Sequence, residues 1–231
     1  LAEFVNAPQR NILLLTTLHQ GFFSYAQGLT QTQREEWEKV KGRLKELTFN
    51  EPVEQLLELA AHHVSQLPQR MPPTRMEPLL AAIERAAAFP YRGKLTAAFA
   101  QQLFPMDLLA AAVITQALQR YGQNERSLFT FLNDTDALAL HHYNQDEHPT
   151  YNLVCVYNYL LQNFYALLSS VHNPHYAQWG ALRSAIERVE ATVAGRLFDA
   201  LKMVKIIGLL NIFAPDGARI SADFLTTSAE Q

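Results

Sequence analysis

Residues 11–55 read NILLLTTLHQGFFSYAQGLTQTQREEWEKVKGRLKELTFNEPVEQ, and the order of elements in this stretch decides the fold. The apolar run over residues 12–18 is of the kind found in a strand covered on both faces, as in a parallel sheet. Thr16, Thr17, His19 and Gln20 mark its polar end. A helix-like segment, Glu35-Glu36-Trp37-Glu38-Lys39-Val40, leads to Gly42-Arg43, and ELTF at 46–49 offers a second short strand. Glu51-Pro52 then opens an amphipathic helix. A strand buried on both faces needs neighbours, and two short strands make a marginal sheet. Either the partner strands lie outside these residues, or 12–26 is a buried helix.

Beyond residue 50 nearly every segment reads as helix. Val53, Leu56, Leu57, Ala60, Val64 and Leu67 recur at the three-and-four spacing of one buried face. Asn50 is a candidate N-cap for that helix, and Pro52 is tolerated in its first turn. The proline-rich connector 68–74 stops it. Thr74 and Glu77 form a T-x-x-E capping box for a helix over Leu79, Leu80, Ile83 and Ala87. Further helices are expected over 97–103, over 106–120 with Gly122 as a left-handed C-cap, and over 125–132 behind Asn124. Residues 134–148 are polar and read as an exposed linker. Three long helices follow, over 151–171, 176–194 and 196–213. Trp179, Leu182, Ile186 and Val189 form the stripe of the middle one. Ala214-Pro215-Asp216-Gly217 is a turn signal, and Ser221 caps a last helix.

Composition narrows the classes. A 231-residue chain that is 48% hydrophobic and 18% charged is globular and large enough for one or two cores. A net charge of -3 gives no global attraction to nucleic acid or anionic lipid. The single cysteine, Cys155, excludes an internal disulfide and reads as a buried, inert thiol. The longest apolar stretch, 153–168, is broken by Asn158, Gln162 and Asn163 and falls short of the ~20 residues of a bilayer span. No basic leader precedes an apolar block at the start. A cytoplasmic protein with no membrane partner is expected, and Leu1 in place of an initiator methionine fits a chain cut from something longer.

Several chemistries lack their motifs. There is no G-x-S-x-G elbow, no G-x-G-x-x-G fingerprint and no G-x-x-x-x-G-K-[ST] loop. Gly93-Lys94 lacks the upstream glycine of a phosphate cradle. His141, His142, His148, His172 and His175 lie around Asp146 and Glu147, chemically able to hold zinc. They follow no metal-ligand spacing, so a solvated loop is the reading preferred.

Four pieces, LLTTLHQGFFSYA (14–26), REEWEKVKGRLKELTFNEPVEQLLELA (34–60), FPMDLLAAAVITQALQRYGQNERSLFTFL (104–132) and LKMVKIIGLLNIF (201–213), come in an order that resembles large bacterial AAA+ ATPases of origin-recognition-like arrangement. The resemblance implies a mainly α chain with a remnant of an α/β AAA+ core, one or two strands, at its front. Residues 1–50 would be the end of the nucleotide-binding core and 51–133 the helical lid. Residues 134–231 would be a helical region ending in a winged-helix-like segment. The phosphate loop and the acidic metal-binding strand are absent, so ATP with Mg would be bound mainly by a region outside this chain, which alone would be inactive.

The resemblance also implies roles for four residues. Arg43 would point across a subunit boundary to the γ-phosphate of a neighbour's nucleotide, where a planar, permanent cation stabilises transferred charge. The bland alternative is a Gly-Arg pair that ends a helix and faces water. Leu44 stands where the family pattern would carry phenylalanine. Arg126, at a helix N-terminus where a cation opposes the dipole, would reach nucleotide phosphates, although Glu125 could equally pair with it. Thr17 or His19 would hold the attacking water or the γ-phosphate, since sites of open α/β sheets lie at the carboxyl ends of strands. Partners would be the remainder of the ATPase or a neighbouring subunit, in a homo-oligomer of a bacterial anti-phage or DNA-processing system. Arg183, Arg188, Arg196, Lys202, Lys205 and Arg219 supply positive charge for a DNA contact through the C-terminal region. The rival class is a nucleotide-free helical scaffold for protein interaction.

Overall fold

The segment LLAAAVITQALQRY is apolar on nearly every face, and a helix of that kind has to be covered all round. In the computed structural model it forms the helix Leu108–Tyr121, and Leu108 through Thr115, Ala117 and Leu118 are all buried. The structure describes residues 11–17, 29–45, 47, 52–66, 76–89, 95–122, 125–133, 136–144, 146–193 and 195–230, without the side chains of Glu125 and Arg126. These hold α1 (Gln31–Lys41), α2 (Val53–Ser65), α3 (Met76–Ala86), α4 (Ala97–Leu103), α5 (Leu108–Tyr121), α6 (Glu125–Leu132), α7 (Leu153–Leu168), α8 (Tyr176–Thr192), α9 (Leu197–Phe213) and α10 (Ala222–Ala229). A short 3-10 turn, Leu140–His142, precedes α7. The chain is mainly α, as its periodicity predicts.

The chain divides into two units, Leu1–Asn50 and Glu51–Gln231. In the first, α1 starts at Thr30, whose backbone N–H donates to Gln33 Oε1 at 3.0 Å. No residue of α1 is buried. The strand expected over 12–18 is not formed in its described part. Residues 11–17 are neither strand nor helix, and Leu13 and Leu15 are 82% and 80% exposed. Of the second expected strand, 46–49, all but Leu47 lie outside the described residues, and Leu47 is exposed.

In the second unit α5 is the axis. It packs against α2, α3, α4, α6, α7 and α9. Of the predicted α2 stripe Leu56, Leu57, Ala60 and Val64 are buried, joined by Ala61; Val53 is partly buried, and Leu67 lies outside the described residues. Phe131 of α6 meets Tyr159 and Tyr151 edge-on, with centroids 4.9 and 5.5 Å apart. The α8–α9 hairpin closes one side through Trp179, Leu182, Leu209 and Leu210. Its close approach requires Gly208: a Cβ there would lie 2.6 Å from Leu182 Cδ2 and 2.8 Å from Cγ. Finally, α10 packs on α3 and α9, and the Arg219 N–H donates to the Ala86 carbonyl at 2.7 Å. Ser221 caps α10, its hydroxyl accepting from Phe224 N at 3.1 Å.

Two local expectations are corrected. Gly122 does end α5, but with extended backbone (φ -101°) and not in the left-handed region. Its glycine is needed for closeness, since a Cβ would fall 2.6 Å from both the Leu118 carbonyl and Ser127 Cβ. The stretch 134–148 is exposed over much of its described part, as expected, but it is anchored on the core and is not a loose linker. Ala139, Leu140 and Tyr143 are buried in the core. Its backbone carbonyls and Asp136 are tied down by side chains: Tyr151 Oη donates to Leu138 O at 2.9 Å, Asn163 Nδ2 to Ala137 O at 2.8 Å, and Tyr159 Oη to Asp136 Oδ2 at 2.7 Å. Its polar residues hid a loop held by Tyr151, just before the next helix, and by Tyr159 and Asn163 within it.

Candidate functional site

Of the six buried polar residues among those described, three, Asp107, Thr150 and Asn152, stand where α5 and α7 begin. The residues just before these helices pair as a single parallel bridge, Met106 with Tyr151. Tyr151 N–H donates to the Pro105 carbonyl at 2.7 Å, and Asp107 N–H to the Tyr151 carbonyl at 3.2 Å. The bridge sets two helix N-termini side by side, each presenting unsatisfied N–H groups and the positive end of its dipole. Asp107 caps α5, Oδ1 accepting from Ala110 N at 2.7 Å. Asn152 caps α7, Oδ1 accepting from Val154 N at 2.9 Å and Cys155 N at 3.4 Å. Both cap side chains are buried, and Asn152 Nδ2 has no hydrogen-bond partner.

Burial governs the ionisation here. It raises the Asp107 carboxyl to about 7, against the opposing pull of backbone N–H groups at Ala110 and Leu109, the Lys202 charge and a hydrogen bond with Thr150. The same burial raises the Cys155 thiol to about 11. It lowers Lys202, partly offset by the negative charges of Asp107 and Asp199. His148 is lowered too, first by burial and then by Lys202. Lys205 is lowered by burial, donates to Asn158 Oδ1 at 2.9 Å and lies 5.0 Å from the Tyr157 ring centre. The arrangement can hold a proton at Asp107 near neutrality. With only 3% of Asp107 exposed, that proton belongs to the folding equilibrium rather than to a substrate.

Two surface depressions carry charge. An open groove between α2 and α4 is lined by Glu54, Glu58, His62, Leu57 and Phe99. A smaller one between α3 and α10 holds Arg85, Arg219 and Asp223, with Arg85 Nη2 3.3 Å from Asp223 Oδ2. Among the described residues no group of three histidine, cysteine or acidic side chains is gathered to hold a metal ion. No described helix is long and apolar enough to cross a membrane.

The four residues singled out in the sequence are placed as follows. Arg43 is exposed in the turn after α1, its N–H donating to the Val40 carbonyl at 3.1 Å. Thr17 is exposed at the end of 11–17, and His19 lies outside the described residues. Arg126 is the second residue of α6, and its side chain is likewise outside them. Thr17 and Arg43 belong to the first unit and Arg126 to the second. The sequence reading missed Asp107, Thr150 and Asn152. An N-cap signal was present in Asp107, an aspartate directly before an apolar run. Its pairing with the start of α7 is a long-range fact that no local pattern carries. No protein-family model, no curated protein and no solved structure matches the chain.

Proposed function

We propose that this chain is part of a AAA+-type ATPase, contributing lid helices and arginine contacts to ATP whose phosphate loop and Mg ligands lie outside these residues. The observation that carries the reading is Arg43, exposed in the turn that closes α1 and followed by a helical unit of its own. A guanidinium so presented is the shape of group that stabilises a γ-phosphate across a subunit boundary. Arg126, near the start of α6, adjusts lid position to nucleotide state. The protein works in the cytoplasm as a homo-oligomer, in an anti-phage or DNA-processing system, with a DNA contact through its C-terminal helices.

The test uses the natural gene product that carries this segment. A phosphate-loop motif encoded upstream supports the reading, as do a Arg43→Ala variant that keeps ATP affinity but loses turnover and an Arg126→Ala variant that loses affinity. No such motif, or two variants that bind and hydrolyse ATP like the parent, would overturn it. Retention of duplex DNA on a filter at low salt checks the nucleic-acid contact.

One observation favours a second reading, a helical scaffold. The Glu51–Gln231 unit closes its core with its own helices, while Phe198, Ile207 and Val171 remain exposed. On that reading the apolar side chains dock a partner protein, and neither arginine variant changes function.

A further inference from the structure

Three helix ends meet at Arg120, in the last turn of α5. Its Nη1 donates to the Ile212 carbonyl of α9 at 3.0 Å and stands 3.2 Å from Nε2 of His175, the N-cap residue of α8. Its Cζ lies 5.0 Å from the Phe213 ring centre. A guanidinium has only donors, so Nε2 is the acceptor, and an imidazole that accepts through Nε2 carries its proton on Nδ1. Nδ1 is buried with no hydrogen-bond partner.

Burial and the nearest positive charges disfavour a second proton on this ring. From α5 comes the Arg120 charge. From α8 comes the positive end of the helix dipole, which repels a cation at that position. From α9 comes the Ile212 carbonyl, which accepts from Arg120. Asn173 is also engaged, its Oδ1 accepting from the His175 backbone N–H at 3.0 Å. Beside them Trp179 Nε1 donates to Tyr121 Oη at 3.0 Å, so the phenol is in use and un-ionised. Burial first, then Arg120, lower the pKa of His175.

We propose that His175 and Arg120 form a pH-sensitive clasp, in which protonation of the imidazole removes the acceptor Arg120 uses on α8 and loosens the start of the α8–α9 hairpin against the end of α5, where the Trp179–Tyr121 bond remains. The folded value lies below the unfolded one, so the clasp's contribution is complete above the ordinary histidine value of about 6.5 and is lost as pH falls through the folded value.

Imidazole nitrogen NMR on the 231-residue chain tests this. The expected result is a neutral Nδ1–H tautomer that titrates below 6.5 in the wild type and moves up towards 6.5 in Arg120→Gln. Hydrogen-exchange protection of the Trp179 amide, bonded to the His175 carbonyl, should fall between pH 7.5 and 5 in the wild type and hold in His175→Gln. An Nε2–H tautomer, a titration at or above 6.5, or protection that ignores this pH change overturns the clasp. His148 titrates by its own resonance, and the tautomer is read in the wild type alone, so the test survives a variant that does not fold.

Discussion

Replacing Asp107 by asparagine should stabilise the protein at alkaline pH and leave it nearly unchanged in acid. Burial holds the folded carboxyl at about 7 against an ordinary 3.8. A folded value above the unfolded one means that the folded state keeps a proton the unfolded state has lost. The stabilisation is therefore complete below the unfolded value and disappears as pH rises through the folded one. At 1.36 kcal/mol per pH unit, that window spans about 4 kcal/mol. Asparagine caps a helix as well as aspartate, keeps an acceptor for Ala110 N and does not ionise. The assay is urea unfolding followed by circular dichroism, at pH 4 and pH 8. With a slope of about 1–3 kcal/mol/M, the Asp107→Asn midpoint at pH 8 should exceed the wild type's by more than about 1 M. At pH 4 the two should agree to within about 1 kcal/mol, the spread among good caps. Equal midpoints at pH 8, or a variant weaker there than the wild type, would refute the assignment of a buried, proton-holding carboxyl.

Two other perturbations follow from the same packing. Gly208→Ala gains about 1 kcal/mol of helix propensity and loses about 1–3 to the collision with Leu182, so the urea midpoint should fall. Leu182→Ala, which alone costs about 2–5 kcal/mol, should cost less in that background, and strictly additive losses would rule out the contact. A thiol raised from 9.0 to about 11 holds about a hundredfold less thiolate near neutral pH, so Cys155 should react with a disulfide reagent at least that much more slowly folded than in urea. Equal rates would place the thiol in open solvent.

Several helices were legible because their ends carry their own punctuation. The helix expected over 97–103 forms with those bounds, with Thr96 as its N-cap accepting from Phe99 N at 3.1 Å. Ser221 and the Pro215–Gly217 turn, with Gly217 at φ 88°, behave as their residue types require. What failed depended on partners far away in the chain. An apolar run reads the same whether or not neighbouring strands exist to cover it, and residues 11–17 are uncovered. The stretch 134–148 was read by its polar residues, yet the apolar 137–140 lies within it and its described part is fixed by Tyr151, Tyr159 and Asn163. Gly122 was read through torsion, but the space occupied by Ser127 is the deciding fact. The polar group at Asp107 and Asn152 needs both helix starts at once, and each half alone looks like an ordinary cap.

Single-turnover ATP hydrolysis by the natural gene product, with and without Arg43→Ala, bears most directly on the proposed role. An arginine supplied to the transferred phosphoryl group is worth about 10³–10⁵ in rate, so the variant should hydrolyse bound ATP at least about a thousandfold more slowly while its nucleotide affinity stays level. Hydrolysis at the parent rate would contradict the account.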